Sequence, residues 1–371
     1  MIDGKTLDQA VARPSGRLAV LARWLEELDD LEFKSLAARA AGLTRRHFGR
    51  TMRLFAPLYL SNECINSCAY CGFSRENEIL RVTLEVREVL KEAGHLMSEG
   101  FRSLLLVAGE HPKFVSGIYL QSCLSELRRM VPSLAIEVAP MEIADYRRMV
   151  EAGAEGLVLY QETYDPEIYS TLHLAGPKKD FAWRLMGPER GYAGGFRRIG
   201  VGALLGLAPW RSEMMRLGAH LDWLLRNCWR AHFTVSFPRL RPAAGSFAPR
   251  YPVSDRDLVQ MVCAFRVAFP TVGIVLSTRE PSALRDVLAR VGVTLMSAGS
   301  HTEPGGYTGQ GTGKLHHTVR GLQIVAEGES ADAQFAVSDR RSASEVAAKL
   351  REMGLEPVWK DWDQAIMGEA A

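Results

Sequence analysis

Long apolar runs, a large net charge and a cysteine framework are all missing from this chain of 371 residues. No apolar run approaches the roughly 20 residues that a transmembrane helix needs, and the N-terminal Met1–Arg13 lacks the apolar core of a signal peptide. With 45 basic and 43 acidic residues the net charge is +2, which gives no argument for a nucleic-acid or membrane surface. Six unevenly spaced cysteines form no disulfide framework. We therefore expect a globular protein of the reducing cytoplasm, without nucleic-acid or membrane partners.

Three of the cysteines nevertheless stand close together, at Cys64, Cys68 and Cys71. Soft thiolates suit iron, so three of them can hold three corners of an iron–sulfur cube and leave the fourth iron open to a small molecule. A zinc site normally needs four ligands, and the flanking segment contains no histidine. The spacing predicts a [4Fe–4S] cluster, with a partial zinc site or simple thiol packing as alternatives. The isolated cysteines, expected to be buried thiols, are Cys123, Cys228 and Cys263.

Short apolar runs alternate with amphipathic segments after about 50 residues of helical pattern. The runs are Leu54–Leu60, Ser103–Ala108, Ala135–Ala139, Gly156–Tyr160, Ile199–Leu207, Phe233–Phe237, Gly273–Leu276 and Val293–Met296. This alternation predicts an α/β fold, a (β/α)8 barrel of the TIM type, with a doubly wound open sheet as the alternative. The expected organisation is a helical extension at 1–52, the barrel at 53–302, and a C-terminal extension at 303–371 that packs on the barrel.

Smaller features complete the expected secondary structure. Thr83 is a predicted N-cap for the helix after the cysteine loop. A strand is expected at Gln334–Val337 and a helix at Ala343–Met353. Trp359 and Trp362 are expected to pack against the open end of the barrel.

Ligands of a parallel barrel bind at the carboxyl ends of its strands, and the cysteine loop follows the first apolar run. Tyr70 supplies an aromatic residue before the third cysteine, and the second run ends in Ala108, Gly109 and Glu110. In both features the chain resembles the radical S-adenosylmethionine (SAM) enzymes. The resemblance implies that Tyr70 and this strand end lie at the SAM site, with the Gly109 backbone approaching closely.

The same resemblance assigns two charged residues to SAM. Glu162 follows the fourth run and is implied to bind the ribose hydroxyls, while Arg184, downstream, is implied to grip the methionine carboxylate. A surface ion pair is the alternative for both. Gly200–Gly206 is a weak match to a dinucleotide loop because its glycines lie within a strand, and Gly309–Lys314 is not a P-loop. His316 and His317 have no nearby carboxylate or cysteine in sequence and are not expected to bind metal.

A more specific resemblance covers nearly the whole chain. The sequence is similar to the 2-iminoacetate synthases, the radical SAM tyrosine lyases of thiamine biosynthesis. The matching segments are 60–74, 161–181, 198–207, 235–242, 276–280, 296–300 and 356–363. The family implies cleavage of L-tyrosine at Cα–Cβ to 2-iminoacetate and p-cresol, with a [4Fe–4S] cluster and SAM as cofactors. It also implies thiazole synthase as a downstream partner and a flavodoxin-type reductant.

Tyrosine would bring a carboxylate into the barrel, which calls for a fixed cation. Arg279 after the seventh run is the candidate clamp, with Ser277 beside it and Ser297 at the end of the eighth run. Arg239 and Arg241 are the reserve candidates, and a salt bridge with Glu280 is the alternative role for Arg279.

Other functions remain as alternatives at this stage. The tyrosine lyase of hydrogenase maturation carries extra C-terminal cysteines, and no cysteine follows Cys263 here. A tryptophan lyase of the same superfamily and a non-catalytic iron–sulfur scaffold are the remaining possibilities. Product analysis separates the lyases, and release of 5′-deoxyadenosine separates an enzyme from a scaffold.

Overall fold

The computed structural model describes residues 1–319 and 321–360, and it contains a closed barrel of parallel strands. Eight strands follow one another around the barrel in chain order, and the last pairs with the first to complete the circle. The barrel strands are β1 (Thr51–Ser61), β3 (Ser103–Ala108), β4 (Ser133–Glu137), β5 (Gly156–Val158), β7 (Arg198–Gly202), β8 (His232–Ser236), β9 (Gly273–Leu276) and β10 (Leu295–Ser297). The predicted (β/α)8 barrel is therefore confirmed, and the open-sheet alternative is excluded.

Helices cover the outside of the barrel, as the apolar stripes predict. Three precede it: α1 (Gly4–Ala12), α2 (Arg17–Leu25) and α3 (Asp30–Phe48). The helices between and after the strands are α4 (Val86–Ser98), α5 (Gly117–Leu127), α6 (Ile143–Ala152), α7 (Pro166–Leu172), α8 (Phe181–Leu185), α9 (Gly187–Ala193), α10 (Trp210–Asn227), α11 (Asp255–Ala268), α12 (Ser282–Val291) and α13 (Ala343–Glu352). The leading helices pack on α10, α11 and α12, so the N-terminal segment is part of the outer helical layer. No helix in the described ranges is long and apolar enough to cross a membrane.

The remaining strands lie outside the barrel circle. Two very short strands, β2 (Ser67–Cys68) and β6 (His173–Ala175), pair antiparallel above the barrel. A hairpin is formed by β11 (His316–Val319) and β12 (Leu322–Val325), and β13 (Glu356–Val358) adds to the start of β1. Residues 361–371, with Trp362, lie outside the described residues, whereas Trp359 packs edge-on against Phe101 with ring centroids 5.2 Å apart.

Two local predictions are wrong. Gln334–Val337 is not a strand, because its backbone amides bond to separate loops: Gln334 N–H donates to Thr302 and Ala336 N–H to Pro242. Thr83 does not cap α4. Its hydroxyl bonds instead to that of Ser61 at 2.7 Å, and Glu85 is the N-cap, in a capping box with Glu88.

The lumen of the barrel is hollow. Alternate residues of each strand point inward, and several of these positions are glycine or alanine, including Gly156, Gly200 and Gly273. A cavity of about 480 Å³ runs along the strands as far as Tyr160 and Ser236. The cavity extends from the amino ends of the strands, near Thr51, Ser133 and Trp359, toward their carboxyl ends, which form the mouth of the barrel.

Candidate active site

The cysteine loop lies across the mouth, directly after β1. It is tied down on two sides, since Ile65 N–H donates to the Glu110 carbonyl at 2.8 Å and Ala69 N–H donates to the Leu172 carbonyl at 2.9 Å. The β2–β6 ladder, which pairs Cys68 with His173, adds a third attachment. The loop geometry is therefore set by segments that are distant in sequence.

The three predicted cluster cysteines are free thiols gathered in this loop. Burial raises the pKa of Cys68 to about 12 and also raises that of Cys71, while the nearby charge of Lys178 opposes both shifts. No three His, Cys, Asp or Glu side chains of the described chain converge on one position that a single metal ion could occupy.

The isolated cysteines behave as predicted. Those at Cys123, Cys228 and Cys263 are free and at most 2% exposed. They pack in the outer hydrophobic core, away from the loop.

The predicted strand end at Ala108, Gly109 and Glu110 lies beneath the cysteine loop. The Glu110 carboxylate accepts a hydrogen bond from Asn66 Nδ2 at 2.6 Å. A Cβ at Gly109 would overlap the carbonyl of Glu63, so glycine is needed here for the strand to pass under the loop. The close approach expected at Gly109 is thus made by the protein's own backbone.

Tyr70 is buried and oriented by His173. The Tyr70 hydroxyl lies 2.8 Å from His173 Nε2, and His173 Nδ1 lies 2.9 Å from the carbonyl of Tyr169. Burial lowers the pKa of His173 to about 3, with Lys178 adding to the shift, so the ring is neutral. Nδ1–H then donates to the carbonyl, Nε2 accepts from Tyr70, and the aromatic ring is fixed beside the loop.

Glu162 occupies a strained position at the end of the β5 segment. It is the one non-glycine residue with positive φ (72°) in the described ranges, and its carbonyl accepts from Leu204 N–H at 2.7 Å. Such strain is characteristic of functional sites. The carboxylate lies 2.8 Å from Lys178 Nζ and 3.4 Å from Arg184 Nη2.

The two cations keep this carboxylate charged. Burial alone would raise the pKa of Glu162, but Lys178 and Arg184 outweigh it and lower that pKa. Arg184 is itself buried and donates from Nε to the Tyr160 carbonyl at 2.6 Å. Glu162, Arg184 and Lys178 therefore form one charge cluster, and the ion pair given as the alternative for Glu162 and Arg184 does form, although it is largely buried and not on the surface.

Arg279 lies at the mouth with its guanidinium stacked on Phe335, 3.4 Å from the ring centroid. Within the described residues the guanidinium has neither an ion-pair partner nor a hydrogen-bond acceptor, and only its backbone N–H bonds, to Ser277 Oγ at 3.4 Å. The expected alternative, a pair with Glu280, does not form because Glu280 binds Arg239. A half-buried guanidinium with free donors is suited to an incoming carboxylate.

The other predicted substrate residues differ in their surroundings. Arg239 is fully engaged by Glu280, Asp255 and the Val253 carbonyl, so it is a structural residue. Arg241 keeps a buried Nε without a partner in the part of the chain that the structure describes. Ser297 is buried at the end of β10, on the strand face that Leu295 turns toward the lumen.

Several residues of this site were not singled out from the sequence. Lys178 and His173 lie in the matched 161–181 segment, which was their only sequence signal. Gln334, which bonds to the Tyr59 hydroxyl at 2.8 Å, and Phe335 return to the mouth from the C-terminal extension without any sequence signal. His316 Nε2 lies 2.6 Å from the carboxylate of Glu63, the residue before Cys64, so this histidine holds the Glu63 side chain in place.

Comparison of the sequence with those of known proteins identifies one family. The 2-iminoacetate synthase of Escherichia coli (strain K12) is 41% identical over 339 residues, which cover 91% of this chain and 85% of that protein. The Salmonella typhimurium (strain LT2) 2-iminoacetate synthase is 40% identical over 88% of this chain and 82% of its own. This chain belongs to the 2-iminoacetate synthase family. The resemblance inferred from the sequence is confirmed.

Solved structures related to this 2-iminoacetate synthase family member agree. The FeFe-hydrogenase maturase HydG from Carboxydothermus hydrogenoformans superposes with a TM-score of 0.84 at 34% identity, covering 96% of this chain and 80% of that one. Methylornithine synthase (PylB) shares the fold, with a TM-score of 0.71 at 20% identity over 95% of this chain and 97% of its own. The Biotin and Thiamin Synthesis associated domain family matches residues 236–356, which span the last barrel strands and the extension beyond them.

Proposed function

We propose that this chain is a radical SAM carbon–carbon lyase that cleaves L-tyrosine at Cα–Cβ to 2-iminoacetate (dehydroglycine) and p-cresol. Methionine and 5′-deoxyadenosine are the accompanying products, and the imine serves the thiazole moiety of thiamine. The observation that carries the proposal is Arg279, a cation with no anionic partner in residues 1–319 and 321–360, at the mouth of a barrel whose family is 2-iminoacetate synthase. An amino acid carboxylate would supply the ion-pair partner of Arg279.

The residues present fit both cofactors. Cys64, Cys68 and Cys71 would hold the [4Fe–4S] cluster, and the Glu162–Arg184 pair lies where SAM would reach it. When bound, cluster and SAM supply the electron and the 5′-deoxyadenosyl radical that start the reaction. Lys178 lies close to Cys68, Cys71 and Glu162, so it can neutralise negative charge from the cofactors or from the carboxylate.

The chain itself supplies position and exclusion of water. A small apolar cluster of Tyr59, Phe73, Ile79, Leu105 and Val107 lies inside the barrel next to Cys64 and Cys71. The aromatic ring of tyrosine can pack there while the carboxylate of the same molecule binds Arg279. Ser277 and Ser297 lie on the same side of the mouth. Fixed placement of this kind lowers the barrier, because a misplacement of about 1 Å can cost a hundredfold in rate.

The proposal includes a cellular setting. A cluster with an open iron requires a reducing compartment, which favours the cytoplasm. The imine hydrolyses readily, so thiazole synthase is proposed as its direct consumer. A flavodoxin-type protein is proposed as the electron donor.

Anaerobic incubation of the reconstituted protein with SAM, dithionite and tyrosine tests the function. We expect p-cresol and 5′-deoxyadenosine to form together, with glyoxylate from hydrolysed imine, as measured by mass spectrometry. An indole product from tryptophan would favour the tryptophan lyase alternative. Absence of 5′-deoxyadenosine from protein with a full cluster would favour a scaffold.

A further inference from the structure

A second charged side chain that has no partner among the described residues lies across the lumen from Arg279. Glu137 is the last residue of β4, two positions after Ala135, which lines the cavity. Since alternate strand residues share a face, Glu137 points into the upper lumen. Its side chain is half-buried.

The other acids around the mouth are all engaged. Glu110 accepts from Asn66, Glu162 binds Lys178 and Arg184, and Glu63 binds His316. In residues 1–319 and 321–360 the Glu137 carboxylate forms no hydrogen bond and no ion pair, only longer-range electrostatic contacts. An acid placed this way retains its full capacity to accept hydrogen bonds.

Arg279 and Glu137 together form the complement of one chemical group. Each lies within electrostatic range of the other, and Tyr59 and Tyr160 face both of them. An α-amino acid carries one anion and one cation on a single carbon, so its head group needs one cation and one acceptor close together. Arg279 can bind the carboxylate, and a second group is needed to bind the amine.

We propose that Glu137 binds the amino group of the substrate and accepts one proton from its ammonium form. The N–H bond breaks, its electron pair stays on nitrogen as a lone pair, and an O–H bond forms on Glu137. No electron is gained or lost in this step. The inference rests on the tyrosine lyase function proposed above, since a neutral amine is then presented for the removal of a hydrogen atom.

The surroundings of Glu137 allow it to take up a proton near neutral pH. Burial raises its pKa to about 7, with Glu162 adding to the rise and the cations opposing it. The charged and titratable groups that face it are Tyr59, Tyr160, Glu162, Lys178, Arg184 and Arg279. The accepting carboxylate form is therefore present above neutrality and is lost as pH falls through about 7.

Binding of two ligands to the reconstituted, SAM-loaded protein tests the amine contact. L-Tyrosine has the amino group and 3-(4-hydroxyphenyl)propanoate lacks it, so their affinity ratio isolates this contact. We expect Glu137→Gln to lower the preference for tyrosine about ten- to a hundredfold, the loss of one charge-assisted bond, and Glu137→Asp to restore part of it. Glu151→Gln, on the exposed face of α6, is the matched control and should keep the wild-type ratio. An unchanged ratio in Glu137→Gln with full iron content would overturn the proposal.

The pH profile provides the second measurement. Tyrosine-dependent release of 5′-deoxyadenosine should fall below about pH 7 in the wild type, and this acid limb should disappear in Glu137→Gln. An acid limb that persists there would also overturn the role. If the wild type makes no p-cresol at all, the lyase function fails, whereas the affinity ratio still decides the contact of Glu137 with the amine.

Discussion

Replacing Arg279 with alanine removes the cation that we assign to the substrate carboxylate. The change leaves the turn after β9 intact, because the backbone N–H that bonds to Ser277 is kept. It also leaves Glu280 paired with Arg239, so no buried acid is newly stranded by the substitution. The predicted defect is therefore confined to substrate binding.

The size of the defect follows from the surroundings of the guanidinium. Burial lowers the pKa of Arg279, although nearby acidic and phenolic groups favour the charged form. Phe335 covers one face, and the donors at the edge remain open. Loss of a charge-assisted contact to carboxylate costs about 1.5–3 kcal/mol, so the dissociation constant for tyrosine should rise roughly ten- to a hundredfold.

The assay separates binding of tyrosine from cofactor loading. Iron content and SAM affinity of Arg279→Ala should equal those of the wild type, while p-cresol formation at low tyrosine should be nearly lost. Arg290→Ala, an exposed arginine on α12, is the control and should behave as wild type. Normal p-cresol formation at low tyrosine in Arg279→Ala would refute the clamp, and Arg241, whose Nε has no partner in the described part of the chain, would then be tested next.

Three further predictions concern the cofactor side of the site. Alanine in place of any one of the three loop cysteines should abolish cluster loading and SAM cleavage, and a triple variant that kept full iron content would exclude the cluster assignment. Glu162→Gln should weaken SAM binding by about 1.5–3 kcal/mol without changing tyrosine affinity; the opposite pattern in equilibrium titrations would place Glu162 at the substrate. Gly109→Ala should lower iron content and melting temperature, because a Cβ there overlaps the Glu63 carbonyl and overpacking costs about 1–3 kcal/mol. Gly117→Ala, which meets no atom, is its control, and equal losses in both would rule out the steric argument.

Local sequence pattern was enough to predict the barrel. The run Ser103–Ala108 coincides with β3, and the Leu18, Leu21 and Leu25 stripe is the buried face of α2. These features depend on side-chain periodicity, which each segment carries by itself. The prediction at Gln334–Val337 was wrong for the same reason: its apolar residues serve contacts with loops and with Arg279, which periodicity does not distinguish from a strand.

The site was only partly predictable because its chemistry depends on pairing. The sequence identifies Glu162 and Arg184 as charged residues near a strand end. It does not show that the Glu162 carboxylate contacts both Arg184 and Lys178. Likewise, the positive φ of Glu162 could not be predicted, because glycine and asparagine are the residues that usually signal this conformation in a sequence. The roles of the cysteines, Glu162, Arg184 and Arg279 remain predictions that the experiments above decide.

The C-terminal extension belongs to the active site in a physical sense. Phe335 supports Arg279, Gln334 binds the Tyr59 hydroxyl, and His316 holds Glu63 beside Cys64. Each contact joins residues that are far apart in sequence, by 253 positions between His316 and Glu63. Because these partners orient both the cysteine loop and the proposed carboxylate clamp, the barrel alone would present the right residues without fixing their directions. The extension therefore has to be in place before tyrosine and the cofactors can meet in a productive arrangement.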